Sequence, residues 1–440
     1  MPDKKVTTAK AQQPVIEAHR NKMGAVKLSL KTYDPPKIDV AKPKDGIAQY
    51  GTDNRYPQHS IDHFKGSPTH SAICRWTAKL FAGNGFVFTG SDATEDWVKK
   101  LGYGQSIDRI GKRLALDLKL HNGYAMQVTW SKSGDKIVRI SYQDFSHVRK
   151  LVDSNDATIA YLICKDWKTS TTATTEGVRR IEAFDPEQVT EKLRDENGAI
   201  VVDTEGNEVV KIDETTGLPV IAQPNQLYYY EGACPGMVHY TFPEYVAADV
   251  CIEIDILFQD FHVNNILNGL LPSFILSFKG PEPEEEEKAD FIKYVQDTFK
   301  GTKAKKAMVV WTGDEAGMEV DVLDVKNNES RYLEVHKHCI SQIISAHMLP
   351  SPMLAGIAGS GTLGGNAQEL EAAWKLYAAT VGVDGQDQLI EGMQHVFDFA
   401  GMDVTVGIIQ RNPFEVEATT TVNEGGGDST VESVTEATAQ

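Results

Sequence analysis

Two prolines, Pro350 and Pro352, forbid a single helix across the C-terminal part of this chain. Proline lacks an amide donor and pushes its predecessor out of the α region, so a helix arriving from upstream must stop there. RYLEVHKHCISQIISAHM arrives with Leu333, Ile340, Ile343, Ile344 and Met348 at three-to-four spacing, the pattern of one apolar helix face. AQELEAAWKLYAATVGV resumes that period through Leu370, Ala373, Trp374, Tyr377 and Val381. Between them lies MLAGIAGSGTLGGN, in which Gly359-Ser360-Gly361-Thr362-Leu363-Gly364 matches G-x-G-x-x-G letter for letter. From Glu329 to Ala400 the order is therefore helix, proline stop, glycine-rich loop and second long helix.

A dinucleotide fingerprint needs a strand before its glycines, a helix after them and an acid about 20 residues on. Asp384 stands at about that distance and a helix follows, but a helix and two prolines precede the loop. A cytosolic dinucleotide-dependent enzyme using this loop is the alternative reading. The flanks favour a mobile loop. Gly356, Gly359, Gly361, Gly364 and Gly365 raise its backbone freedom, while Met353, Leu354, Ile357 and Leu363 offer apolar contacts. It carries no charge.

The formal charge is −18 and the pI about 5.1, against a protein that clasps nucleic acid on a basic face. A protein past which nucleic acid slides is not excluded, because strong phosphate contacts would hinder sliding. No apolar run approaches the roughly 20 residues that span a bilayer. MPDKKVTTAK lacks a secretory signal, so the expectation is a chain that stays where it is made. Cys74, Cys164, Cys234, Cys251 and Cys339 are scattered without C-x-x-C and read as reduced, mostly buried thiols. His336 and Cys339 share a helix face, but His338 points elsewhere, so no metal site is expected there. No nucleophile–base pair, Walker A or H-E-x-x-H pattern occurs, and no cofactor is expected. The chain therefore shows no visible means of hydrolysing ATP.

In chain order, residues 1–45 read as a flexible lysine-rich arm. A short helix follows Pro57, and Ser67 caps a second with Pro68 at its first position. Ile73, Trp76, Leu80 and Phe81 form its inner face, and Gly83 and Gly85 end it before a strand from Phe86. A third helix (107–120) precedes strands at 124–130, 137–142, 148–152 and 160–167, which makes an α+β module. Residues 186–225 read as a turn-rich hairpin insertion, and QLYYYEG and MVHYTF close the module. From Pro243 a helix with Val246, Val250, Ile254, Leu257 and Phe261 on one stripe is expected, roughly 40 Å long at ~1.5 Å per residue. A small α/β unit follows: strands 273–278, 307–311 and 318–323, and a helix 288–299 opened by Glu282–Glu287. The helix after the glycine loop is interrupted near Gly382–Gly385, and a last β segment covers 402–409. Helices this long need their stripes covered, and repeated copies side by side are a plausible cover.

With these elements in order, the sequence resembles the portal proteins of tailed bacteriophages, over roughly residues 45–412. DNRYPQHSIDHFKGSPTHSAICRWTAKLFAGNGF resembles the opening of the family's wing. NILNGLLPSFILSF with the acidic helix and KKAMVVWTGDEAGMEV resembles a first stem helix entering a clip. SQIISAHMLPSPMLAGIAGSGTLGGNAQELEAAWKLY is similar to the second stem helix, its stop, the tunnel loop and the tunnel helix. The resemblance implies an α+β protomer with an α/β wing (46–241), stem helices (243–269 and 329–349) and a small α/β clip insert (271–327). It further implies a tunnel loop (351–365), a tunnel helix and wing strand (366–412), and little or no crown ahead of a disordered acidic tail (413–440).

The implied assembly is a ring, usually of twelve copies, at one capsid vertex of the virion, put together in the host cytoplasm. Double-stranded DNA is packaged through it by terminase and ejected the same way. Major capsid protein, scaffolding protein and a head-completion or tail-adaptor protein are the other implied partners. Met353, Leu354, Ile357, Gly359, Gly361, Thr362, Leu363 and Gly364 would face DNA. Lys300, Lys303, Lys305 and Lys306, with Glu284 and Glu285, would meet DNA or partners at the clip.

Overall fold

The computed structural model describes residues 43–414 apart from 169–171, 196–197, 204, 206, 268–273, 280–306, 313–316, 323–327 and 358–366. The helix on which the rest packs begins at Ser67. α1 (Tyr56–Gly66) ends there, and α2 (Pro68–Ala82) starts with Pro68 in its first turn and the Ser67 hydroxyl accepting from the His70 amide at 3.1 Å. Gly83, at φ +54°, closes α2 where a Cβ would strike the Ile409 carbonyl. Next come β1 (Phe86–Thr89), α3 (Asp92–Lys100), α4 (Ile107–His121), β2 (Gly123–Trp130), β3 (Ile137–Gln143), β4 (Val148–Val152), β5 (Thr158–Ile163), β6 (Arg179–Ala183) and β7 (Asn225–Glu231).

Six of these strands form one sheet in the order β3-β2-β7-β6-β5-β4, antiparallel except for β6 beside β7. Ile73, Cys74 and Phe81 of α2, Ile110 and Leu114 of α4, and Tyr124, Met126 and Val128 of β2 meet in the main core. On the edge strand β4, Arg149 is fully buried, its guanidinium over the rings of Tyr50 and Trp167. Its guanidinium donates to Asn54 Oδ1 and O, Gln58 Oε1, Ser146 O and Val148 O, so the buried charge has a hydrogen-bond partner at each nitrogen.

Residues 190–221 form a chain of short antiparallel bridges, such as Thr190 with Ile221 and Lys192 with Val210, as expected for a surface hairpin insertion. After a 3-10 turn (Glu244–Ala248) runs α5 (Asp249–Leu267). β8 (Phe274–Lys279), β9 (Ala307–Thr312) and β10 (Gly317–Val322) form a separate sheet, with β8 central, parallel to β9 and antiparallel to β10. α6 (Asn328–Ala346), a 3-10 turn (Pro352–Ala355), α7 (Ala367–Tyr377), a π-helical turn (Ala378–Gly382) and α8 (Val383–Phe399) follow. β11 (Thr405–Ile408) returns to pair antiparallel with β1, Phe86 opposite Ile408.

Several expectations need correction. α3 was not anticipated: Ser91 caps it by accepting from the Thr94 amide, but its nine residues are mostly polar. In the MVHYTF segment, Tyr240 stacks on Tyr50 at 4.1 Å, donates to Ala48 O and accepts from Lys150 N. Residues 164–167 leave the sheet after β5, with Trp167 Nε1 donating to His147 O. The helix expected from Pro243 opens as a 3-10 turn. Within the single chain α5 turns Ile252 and Asp255 inward, while Val250 and Leu257 of the expected stripe are 45% and 50% exposed. On the apolar side of α6, Leu333 and Met348 are likewise exposed, whereas Ile343 is buried. The break near Gly382–Gly385 is a π turn through which the helical path continues.

Candidate functional site

α5 and α6 run antiparallel. Cys251 lies beside Cys339, the Asp255 carboxylate is 2.7 Å from His336 Nε2, and Phe261 meets Tyr332 with ring centroids 5.3 Å apart. His336 also stacks flat on Phe258 at 4.0 Å. The pair is tied to the α1–α2 junction: Ser67 donates to Asp255 Oδ2 at 2.6 Å, and Gln259 donates to the Gly66 carbonyl at 3.1 Å. A buried carboxylate needs hydrogen bonds in place of water. Asp255 has those replacements from both neighbouring elements.

At the end of α6, the His347 ring lies on Tyr245 and its Nε2 is 3.0 Å from His70 Nδ1. Cys74 Sγ is 3.7 Å from the same His70 nitrogen, and all three side chains are buried. Burial lowers His70 to about 3, helped by nearby His63 and Lys119, and lowers His347 well below its ordinary value. Burial raises the Cys74 thiol to about 12. The cluster is therefore neutral at physiological pH, with one imidazole donating to the other. Its ligand atoms lie within 4.8 Å of one another, so these are the residues that could hold a soft divalent ion, one that would have to turn the thiol into thiolate. Lys119 is raised: burial opposes its charge, but Glu244 at 3.0 Å and further groups outweigh it.

Past His347 the backbone turns left-handed at Met348 (φ +54°), and Pro352 opens the 3-10 turn. Leu354 is buried in the main core and so faces inward within this chain, whereas Met353 is 41% exposed. Ile357 is half-buried and donates its amide to Pro352 O at 3.1 Å. Gly356, at φ +75°, has open space around it, so its conformation and not crowding calls for glycine. Gly359, Gly361, Thr362, Leu363 and Gly364 lie outside the described residues, as do Lys300, Lys303, Lys305, Lys306, Glu284 and Glu285.

The loop's flanks are legible. Helix and 3-10 turn precede it, helix follows, and Asp384 sits within α8 accepting from Gln388. The strand that a dinucleotide fingerprint requires is not among the described residues before the glycines. His336 is engaged by Asp255, His338 is exposed and Cys339 is buried, so the three do not converge. The His70–Cys74–His347 cluster was missed by sequence reading. Its one local signal is the i, i+4 spacing of His70 and Cys74; His347 joins through tertiary packing alone.

No protein-family model and no curated protein matches the chain. Among solved structures, it is similar to a chain in the virion of a native gene transfer agent particle, with 13% identity, 80% of this chain and 84% of that one covered, and a TM-score of 0.48. A chain in the neck of the native particle, computed with C12 symmetry, gives 13% identity, 83% and 86% coverage and a TM-score of 0.46. An HK97 family phage portal protein from Corynebacterium diphtheriae gives 10% identity, 79% and 95% coverage and a TM-score of 0.42.

Proposed function

We propose that this chain is the repeating subunit of a portal ring at one vertex of a tailed-phage capsid. The ring is the conduit through which terminase packages double-stranded DNA and through which the DNA leaves. Major capsid and scaffolding proteins meet its outside, and a head-completion or tail-adaptor protein docks on its clip. In this reading the six-stranded sheet and its helices are the wing, α5 and α6 the stem, and β8 to β10 the clip. The loop before α7 is the tunnel loop.

The observation that carries the reading is the uncovered apolar surface of the α5–α6 pair. Val250, Leu257 and Val263 on α5 are 45%, 50% and 54% exposed, and Tyr332, Leu333 and Val335 on α6 are 48%, 44% and 50% exposed. Two helices that already pack against each other still leave six large apolar side chains open. Large apolar side chains left open along a packed helix pair suit an association site, and copies arranged head to tail around an axis would cover them. The net charge of −18 favours passage of DNA over retention, since phosphates meet little net attraction.

Mass measurement over a range of protein concentrations tests this. The expected result is a closed ring whose mass is a whole multiple of 48.5 kDa, with a central hole in end-on electron-microscopy views. A stable monomer at every concentration would sink the reading.

A further inference from the structure

We propose that His70, Cys74 and His347 bind a zinc ion that clamps α2 to the end of α6. The inference rests on these three side chains and is independent of the portal reading. His70 and Cys74 stand one helical turn apart on α2, so both lie on one face. His347 follows the last residue of α6 and meets them through tertiary packing. Zinc takes nitrogen at about 2.0–2.1 Å and thiolate at about 2.3 Å, in tetrahedral geometry. Those bonds set two nitrogens about 3.3 Å apart, and nitrogen and sulfur about 3.6 Å apart. His70 Nδ1 and His347 Nε2 are 3.0 Å apart, and Cys74 Sγ is 3.7 Å from His70 Nδ1. Two edges of the coordination tetrahedron are thus close to their bound lengths.

Hydrogen bonding alone accounts poorly for the cluster. The gap between the two rings holds one proton. If His70 donates it, His347 carries its own proton on Nδ1, which is buried without a hydrogen-bond partner. If His347 donates it, His70 carries its own on Nε2, where Cys74 Sγ at 3.6 Å is a weak acceptor. Either way one buried N–H lacks an oxygen or nitrogen to accept it, which is costly. Coordination replaces the shared proton with metal bonds, and the thiolate becomes a stronger acceptor for His70 Nε2–H. His347 then keeps its proton on Nδ1 and meets the ion through Nε2.

The surroundings suit a clamp. Tyr245 walls the cluster, its ring centroid 4.5 Å from His70 and 4.8 Å from His347, and its hydroxyl donates to Leu120 O. On binding, the Cys74 thiol loses its proton to solvent and the sulfur lone pair forms the metal bond, with no change of oxidation state. Lys119, the buried cation that faces all three groups, opposes a further positive charge but favours the thiolate. Glu244, 3.0 Å from its ammonium, offsets it. Three protein ligands leave the fourth position to water. Bound, the ion pins the chain one residue ahead of the left-handed turn at Met348.

The test adds cobalt to the full chain, reduced and first treated with a chelator. Cobalt takes the same geometry and reports a thiolate ligand by a charge-transfer band in the near ultraviolet. One equivalent per chain should give that band with the intense visible bands of a tetrahedral site, and zinc should displace both. Cys74→Ser should abolish the charge-transfer band. Cys339→Ser, which removes a buried thiol outside the cluster, should leave the spectrum unchanged. His347→Gln should weaken cobalt binding beyond the roughly 10–100-fold that even a metal site's outer hydrogen-bond partners are worth. Absence of the band up to millimolar cobalt overturns the proposal, as does its survival in Cys74→Ser or its loss in Cys339→Ser.

A second measurement needs no variant. X-ray absorption of the zinc-loaded wild type should show one sulfur at about 2.3 Å and two imidazole nitrogens at about 2.0 Å. The loaded chain should also melt at a higher temperature than the chelated one, because the ion binds the folded state. A shell of nitrogen and oxygen alone overturns the proposal. So does a shell of two sulfurs, which would make Cys251 and Cys339 the ligands, or an unchanged melting temperature.

Discussion

The Asp255 carboxylate of α5 lies 2.7 Å from the His336 ring of α6, and its second oxygen accepts from Ser67 at the start of α2. One side chain thus fixes three helices at the point where the long pair leaves the sheet domain. Asp255→Ala leaves two donors without partners, and each hydrogen bond to a charged group is worth about 1.5–3 kcal/mol. The variant should unfold with a free energy lower by about 2–4 kcal/mol in denaturant titration. Wild-type stability would show that water replaces the carboxylate without loss.

Acid should weaken the fold through His70 and His347. Both are held below the ordinary imidazole value by burial, so the unfolded chain takes up protons that the folded chain refuses. Their contribution is full above about pH 6.5 and is lost progressively as pH falls toward the folded value of about 3 for His70. The thermal midpoint should therefore fall between pH 7 and pH 5. His70→Asn should show a shallower fall; an equal slope in both proteins would remove these groups from the account.

Leu257→Asp and Leu333→Asp place a charge on surface that the ring reading buries. Dissociation of the assembly should move to at least about tenfold higher concentration, since burying an unpaired charge costs several kcal/mol. Circular-dichroism melts of the dissociated protein should stay close to wild type, because both side chains are exposed in the single chain. Unchanged assembly would place the subunit contact elsewhere.

Gly361→Ala and Gly364→Ala restrict the backbone of the loop without adding charge. On the portal reading, packaged DNA per particle should drop while rings still form. Failure of assembly would instead make the loop a packing element between copies.

Local chemistry made much of the fold legible. Ser67-Pro68 announced α2, and alternating residues announced β2, β3 and β4, because caps and pleats are decided by adjacent residues. The inward face of α5 was not legible because apolar residues occur nearly all round it, so periodicity alone does not select a face. Its buried position 255 is an acid, and the partners that make that burial tolerable, Ser67 and His336, are distant in sequence. Pairing of β1 with β11, more than three hundred residues apart, leaves no local trace. The segment order around the prolines was readable, whereas the inward turn of Leu354 was set by the core it meets.

The π turn at Ala378–Gly382 has a consequence for how this chain tolerates length changes. One residue advances an α-helix by about 100°. The wide turn absorbs that angle, so Trp374 and Tyr377 before it and Leu389, Met393 and Phe397 after it all reach the core. Deleting one residue there would leave an unbroken, regular helix by any spectroscopic measure. It would also swing Met393 and Phe397 out of phase with everything upstream, a frameshift in packing written without one in secondary structure.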